Sequence, residues 1–243
     1  MASDRTRVLI DAGISGRETA RRLQSIGVEP DALDAICVTH EHTDHTAALR
    51  TLRQRHALEL YANSGTIEGI ERQPNMQGLP WQIFSTGNPF EIGDLTIVPF
   101  SVPHDAYDPV GFLVQHEGLS LGLATDMGMP TTLIRDRLAA CSVLVVESNH
   151  DPSLLQDAKR PWHLKQRVAG RHGHLSNVRT AELLVDIAGP PLTDVFLAHI
   201  SQDCNRPELA LSTVRNALEQ AGHRHVNVRL TYPDRSSEVW QTG

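Results

Sequence analysis

Residues 40–45 read His-Glu-His-Thr-Asp-His, and they directly follow a short apolar run at residues 35–39, Ala-Ile-Cys-Val-Thr. The apolar run predicts a strand that ends at the first histidine. Side chains of an extended segment alternate between two faces, so we expect His40 and His42 to point to the same side. Two imidazoles from one strand end can therefore reach a single metal ion.

The same stretch supplies a second pair of metal-competent side chains. Residues 43–50 predict a helix, and Asp44 and His45 project from its first turn. Zinc, iron and manganese all accept imidazole and carboxylate ligands. The alternative is a solvated polar loop, but three histidines and one aspartate at these offsets seldom arise without a ligand role. The segment therefore predicts a site for two metal ions.

Length and composition limit the class of protein. The chain has 243 residues, of which 40% are hydrophobic and 21% charged. We predict one domain over residues 1–243 with a sizeable core. No apolar run approaches the roughly 18 residues of a membrane-spanning helix, and the first residues do not resemble a signal peptide. With three widely spaced cysteines and no disulfide framework, the sequence predicts a cytoplasmic protein without membrane association.

The net charge is −7 with histidine neutral, so no overall positive field attracts nucleic acid. Bound divalent cations would add positive charge locally. Residues 159–174 contain no acidic residue and five basic ones, which are Lys159, Arg160, Lys165, Arg167 and Arg171. This segment is either a phosphate-facing patch or a solvated surface, and the sequence leaves both interpretations open.

Strand and helix signals alternate along the chain. Strands are predicted near residues 7–11, 35–39, 58–62, 90–100, 111–126, 143–146, 195–198 and 226–231. Helices are predicted at residues 17–26, 43–50, 64–70, 176–188 and 206–222. This interleaving predicts two β-sheets covered by helices.

Three further candidate ligands each follow a predicted strand. His104, Asp126 and His199 come directly after the apolar stretches that end at residues 103, 125 and 198. Functional side chains of layered folds collect at the ends of strands. Each of the three is weak evidence alone, but with the first motif they complete a set of seven ligands.

The order of these seven residues resembles that of metallo-β-lactamase-fold hydrolases, where H-x-H-x-D-H is followed by a lone His, a lone Asp and a final His. The resemblance implies an α/β (α+β) fold, a four-layer αββα sandwich. It implies two divalent metal ions, zinc first, with manganese or iron as alternatives. Carried over residue by residue, the ligands are His40, His42 and His104 for one ion, Asp44, His45 and His199 for the other, and Asp126 between them. Asp11 matches an aspartate of that fold that orients a ligand histidine.

Two strings narrow the resemblance to the YycJ/WalJ-like branch, a group of bacterial proteins regarded as exonuclease-like. They are Glu-Ser-Asn-His-Asp at residues 147–151 and Gly-His-Leu-Ser-Asn at residues 173–177. Members of the branch usually begin with an extra strand, whereas only about six residues precede the first predicted strand here. Either an edge strand is missing or the true start lies upstream. An uncovered sheet edge would favour a partner chain, so a homodimer is one expectation.

The chemistry implied is attack by a hydroxide that two metal ions generate from a shared water. His174 resembles the proton donor in the Gly-His-Ser string of tRNase Z-like phosphodiesterases, and Glu147 is predicted to orient it or a ligand. Asp44, His174 and Glu147 form the predicted catalytic group. The predicted substrate contacts are Asn149, Lys165, Ser176 and Asn177.

Three functions are compatible with this site. The first is a phosphodiesterase, most simply an exonuclease acting on DNA or RNA. The second is a small-molecule hydrolase of lactones, thioesters or β-lactams, and the third is a catalytically idle metal-stabilised binding protein. Only residues 127–198 separate Asp126 from His199, which is too few for the inserted domain of RNase J-like nucleases. The compact form favours an open site that acts on a chain end or a small phosphodiester.

Overall fold

The structure is a computed structural model that describes residues 1–242. The chain divides into two compact units. The first comprises residues 1–101 and 106–116, and the second comprises residues 102–105 and those from 117 onward. The single domain expected over residues 1–243 stays a prediction. Within residues 1–242, every helix is too short or too polar to cross a bilayer.

The first unit contains a parallel sheet and an antiparallel meander. The parallel sheet has the order β1 (Val8–Ile10), β2 (Ala35–Cys37), β3 (Glu59–Ala62) and β4 (Trp81–Ile83). The meander consists of β5 (Phe90–Ile92), β6 (Leu95–Ser101) and β7 (Val110–His116). The helices of this unit are α1 (Gly16–Ser25), α2 (Thr43–Thr46), α3 (Leu49–His56) and α4 (Ser64–Glu71), with a short 3-10 helix at Pro30–Ala32.

Strand β2 shows how alternation builds the layers of the first unit. Ile36 points to one face and joins a buried cluster that includes Leu49 and Leu52 of α3. Cys37 points to the other face and joins a cluster that includes Phe112 of the meander. All five side chains are at most 1% exposed. The parallel sheet is therefore covered by helices on one face and by strands on the other, because successive side chains of a strand serve opposite faces.

The second unit contains four parallel strands in the order β11 (Asn227–Leu230), β10 (Asp194–Ala198), β9 (Val143–Glu147) and β8 (Leu119–Ala124). Its helices are α5 (Thr132–Leu138), α6 (Pro152–Asp157), α7 (Trp162–Ala169), α8 (Asn177–Ile187) and α9 (Pro207–Gln220). Because all four strands run in the same direction, their carboxyl ends meet at one edge. Asp126, Glu147 and His199 all lie at or just past these carboxyl ends.

Each strand stretch and each helix expected from the sequence is present, with boundaries shifted by a few residues. The helix expected at residues 43–50 is divided into α2 and α3, with a break at residues 47 and 48. Ser176 caps α8 by accepting a hydrogen bond from the Arg179 N–H. Besides the short 3-10 helix at Pro30–Ala32, four elements were not predicted from the sequence, namely β4, α5, α6 and α7. The last of these has no buried residue, so no apolar periodicity signals it.

The loop after β1 lies directly against α2. The Ala12 N–H donates to the His45 carbonyl at 2.7 Å, and the Ala48 N–H donates to the Ala12 carbonyl at 2.8 Å. A Cβ atom at Gly13 would lie 1.4 Å from the carbonyl oxygen of Asp44. Only glycine allows this approach of two backbones, which fixes the position of the segment at residues 40–45.

Gly13→Ala should lower the free energy of unfolding by at least about 2 kcal/mol, because the added methyl group meets backbone that cannot rotate away. The measurement is equilibrium unfolding in urea. Gly189→Ala is the matched control, since its Cβ would meet nothing closer than 3.6 Å. Equal midpoints for both variants would contradict the close approach.

Candidate metal centre

In the first unit, the histidines of the H-x-H-x-D-H segment cluster at the end of β2. The ring centroids of His40 and His42 lie 4.6 Å apart, and those of His40 and His45 lie 4.1 Å apart. His40 and His45 are buried, His42 is half-buried and Asp44 is exposed. His42 is the N-cap residue of α2, so Asp44 and His45 lie in its first turn, as expected. This unit therefore gathers four of the seven predicted ligands within a few ångströms.

Asp11 orients two of these histidines through a short relay. Its Oδ2 accepts from His45 Nδ1 at 2.8 Å and from the Thr39 hydroxyl at 2.8 Å. The hydroxyl hydrogen of Thr39 is thereby used, so its oxygen accepts from His40 Nδ1 at 3.0 Å. With Nδ1 protonated on both rings, the Nε2 atoms are left as the basic nitrogens that could bind a metal. Thr39 was not singled out in the sequence, and only tertiary contact shows its role.

In the second unit, four side chains converge at the carboxyl ends of the strands. Asp126, Glu147, His174 and His199 each offer a donor atom, and these atoms all lie within 4.8 Å of one another. His104 Nε2 lies 3.9 Å from Asp126 Oδ1. His104 Nδ1 donates to the Gly173 carbonyl at 3.2 Å, which again makes Nε2 the nitrogen that could bind a metal. The imidazole and carboxylate donors of both units fit divalent zinc, manganese or iron.

Glu147 is fully buried and holds this group together. Its Oε1 accepts from His174 Nδ1 at 2.8 Å and from His199 Nδ1 at 2.7 Å. Its Oε2 accepts from the backbone N–H groups of Met127 at 3.1 Å and Leu175 at 3.0 Å. Burial acts to raise the pKa of the Glu147 carboxyl, but the hydrogen bonds from His174 and His199 outweigh it and lower that pKa. Glu147 is therefore a carboxylate anion, and it fixes the orientation of both imidazoles.

His174 is held in a state suited to proton transfer. Burial acts to lower the pKa of its imidazole, but the hydrogen bond to Glu147 and the nearby charges of Glu147 and Asp126 outweigh burial and raise it. Its Nδ1 is engaged by Glu147, so Nε2 is the atom that can give or take a proton. The ring centroid of His174 lies 5.3 Å from that of His104 and 5.1 Å from that of His199.

Three of the site residues have left-handed backbone, which is uncommon outside glycine. The φ angles are 59° at Asp11, 54° at Asp126 and 55° at His199. Each residue lies within two positions of the end of its strand. Aspartate and histidine tolerate this region better than most residues, and such conformations cluster at functional sites.

Two of the predicted substrate contacts are occupied within the fold. Asn177 is fully buried, and its amide atoms bond to Ser148 and Asn205 at 2.7–2.9 Å. The Ser176 hydroxyl caps α8. Both residues have structural contacts in place of an open surface, so we leave them out of the substrate site.

Of the other two predicted substrate contacts, Asn149 is buried and Lys165 is partly exposed. Asn149 donates to the His199 carbonyl at 2.9 Å, and it lines a cavity of about 160 Å³ with His174 and His199. Lys165 is half-buried and donates to the Gln156 carbonyl. Asn149 therefore positions His199 while it remains at the wall of the cavity.

The basic segment at residues 159–174 is partly neutralised by acidic residues from elsewhere in the chain. Arg160 forms an ion pair with Asp203, and Arg167 forms one with Asp105 at 2.5 Å. These exposed pairs contribute little to stability but reduce the net charge of the segment. His150 is buried, and burial lowers the pKa of its imidazole to about 4. It is neutral at pH 7 and adds no charge.

Comparison with known proteins identifies the family to which this fold belongs. Residues 6–200 match the family described as the beta-lactamase superfamily domain, and the chain belongs to this family. It is 33% identical over 224 residues to exodeoxyribonuclease WalJ of Streptococcus pneumoniae, which covers 91% of this chain and 83% of WalJ. It is 32% identical over 225 residues to exodeoxyribonuclease YycJ of Bacillus anthracis, with 91% and 84% covered.

A solved structure supports the same fold. The metallo-β-lactamase fold protein YhfI of Bacillus subtilis matches with a TM-score of 0.73 at 16% identity, over 98% of this chain and 88% of YhfI. The predicted metallo-β-lactamase fold and the resemblance to the YycJ/WalJ-like branch are confirmed. The assignment of individual ligands and catalytic residues stays a prediction.

Glu147→Gln should lower the pKa of His174, because an amide carries no charge and supplies one acceptor oxygen instead of two. An NMR titration of the His174 ring in chelator-treated protein measures this pKa. Folding raises the pKa of His174 in the parent protein. The contribution of His174 to folding stability is therefore complete below the ordinary histidine pKa of about 6.5, and it is lost as the pH rises through the raised pKa.

The matched control for this titration is Glu208→Gln, at an exposed position in the first turn of α9. It should leave the His174 titration unchanged. An unaltered His174 pKa in Glu147→Gln would mean that the carboxylate does not control the imidazole.

Proposed function

We propose that this protein is a metal-dependent exonuclease that hydrolyses phosphodiester bonds of DNA. The observation that carries the proposal is the protonatable His174, which the buried carboxylate of Glu147 holds beside predicted metal ligands. Membership of the beta-lactamase superfamily supports hydrolysis with metal ions. The relatives named exodeoxyribonuclease, similar over nine-tenths of the chain, favour DNA over RNA.

The proposed metal ligands are those implied by the motif order. One ion would be held by His40, His42 and His104, the other by Asp44, His45 and His199, with Asp126 shared. This assignment is supported by the hydrogen bonds that engage Nδ1 of His40, His45, His104 and His199, which make Nε2 the nitrogen of each ring that would face a metal ion. Divalent ions bound there would supply Lewis acidity and lower the pKa of a water molecule.

His174 supplies what metal ions lack, which is a proton for the leaving group. Cleavage of a nucleic acid chain releases an alkoxide that departs poorly unless it is protonated. Burial acts to lower the pKa of His174, but the hydrogen bond to Glu147 raises it, and Nε2 is the atom that can donate the proton. Glu147 acts through His174 as a positioning residue, and it holds His199 by the same oxygen.

The alternative of a small-molecule hydrolase shares the same metal ligands. Lactones and β-lactams have less need of a protonated leaving group, so the Glu147–His174 pair favours the phosphodiesterase. The direct test is to load the purified protein with zinc, manganese or iron and incubate it with end-labelled single- and double-stranded DNA and RNA. A lactone and a cephalosporin serve as competing substrates. Hydrolysis of these two alone would overturn the proposal.

His174→Ala should reduce DNA turnover by about 10²–10⁴-fold while the bound metal content stays the same. With a nitrophenyl phosphodiester the loss should be much smaller, because nitrophenolate departs without a proton. Steady-state kinetics on both substrates, with elemental analysis of each preparation, measure this difference.

His163→Ala is the control for this comparison, since His163 is exposed on α7. It should leave both activities unchanged. Equal losses on DNA and on the nitrophenyl substrate would exclude His174 as the proton donor.

A further inference from the structure

Helix α7 presents an aromatic side chain to solvent. Trp162, its first residue, is 67% exposed, the highest value among the large hydrophobic side chains of residues 1–242. No residue of this helix is buried. Across residues 1–242, the Trp162 indole makes no hydrogen bond, ring contact or cation–π contact. An indole left in water needs an explanation, because a tryptophan normally buries most of its large surface.

The surroundings of Trp162 are cationic. Lys159 and Arg160 precede it, and Lys165 follows three positions later on the same side of the helix. Arg160 is paired with Asp203. Lys159 has no acidic partner in the part of the chain that the structure describes. The exposed ring is therefore flanked by positive charge, which suits an anionic partner with flat, apolar groups.

The same segment reaches the proposed active site within the second unit. Arg160 and Val168 line the cavity of about 160 Å³ that also contains His174 and His199. Trp162 lies two residues from Arg160, a separation of at most about 7 Å along the chain. The indole therefore belongs to the chain segment that forms part of the cavity wall.

We propose that Trp162 stacks against an unpaired base of single-stranded DNA, and that Lys159 contacts the adjoining phosphate. The inference rests on the proposed function and adds a base-stacking site to it. Any base has a flat face that stacks on an aromatic ring, so the contact does not depend on sequence. Bases within a duplex are already stacked on one another, so the site favours single strands.

The test measures binding of a 12-nucleotide single-stranded phosphorothioate, which keeps its charges and bases and resists hydrolysis, to the full-length metal-loaded protein. Trp162→Ala should weaken binding by about 5- to 100-fold, and Trp162→Phe should recover most of the loss. The slope of log affinity against log salt should stay the same, since no charge is removed. Lys159→Ala should reduce that slope by about 0.7.

A second binding experiment removes bases from the oligonucleotide and leaves the indole of the protein unchanged. An oligonucleotide with abasic sites has the same phosphates, so the parent protein should bind it as weakly as Trp162→Ala binds the intact strand. Trp162→Ala should bind the two oligonucleotides equally. Ile83→Ala, which shortens a side chain that is 66% exposed, is the matched control and should leave affinity unchanged.

The outcomes separate this inference from the proposed function. If Trp162→Ala binds the intact single strand as tightly as the parent protein, the stacking site is refuted, whatever the protein hydrolyses. If the parent protein hydrolyses no nucleic acid, the exonuclease proposal fails, and the binding data still decide the role of Trp162. A loss of affinity that is equally large for a hairpin-closed duplex would also overturn the preference for single strands.

Discussion

Four donors converge on the buried carboxylate of Glu147, and the geometry of the second unit's site depends on them. One oxygen accepts from His174 and His199, while the other accepts from two backbone N–H groups. A buried anion is costly unless its hydrogen-bonding capacity is filled, and here both oxygens are engaged. The two imidazoles therefore hold fixed orientations before any ligand arrives. Asp11 does the same for His45 in the first unit, with Thr39 extending its reach to His40.

The local parts of the site could be predicted from the sequence, whereas its supporting contacts could not. The H-x-H-x-D-H segment is six residues long, and strand alternation with one helical turn is enough to place its side chains. His104, Asp126 and His199 could be found because each follows an apolar strand. By contrast, the Gly173 carbonyl that orients His104 lies 69 residues away in the chain. Sequence patterns of strand and helix carry no information about such a contact.

The predictions made from short strings were less secure for a similar reason. Gly-His-Leu-Ser-Asn contains the catalytic candidate His174 beside Asn177, which belongs to a buried hydrogen-bond network. Both residues are polar and lie in the same string, so only the burial of each side chain in the structure distinguishes their roles. The basic segment at residues 159–174 lacks acidic residues, yet Asp203 and Asp105 pair with two of its arginines from distant positions. Local charge counts therefore overestimate the field that a phosphate would meet there.

The left-handed backbone at Asp11, Asp126 and His199 limits how this centre can be altered. A designer who wishes to change metal preference would first consider exchanging one ligand type for another. At the predicted ligands Asp126 and His199, and at Asp11, which orients His45, a β-branched or bulky replacement would have to adopt a conformation that its side chain disfavours, so the exchange would disturb the strand end as well as the polar group. Ligand engineering therefore has more freedom at His40 or His42, whose φ angles lie outside this region. The backbone, as much as the donor atoms, sets the repertoire of this metal centre.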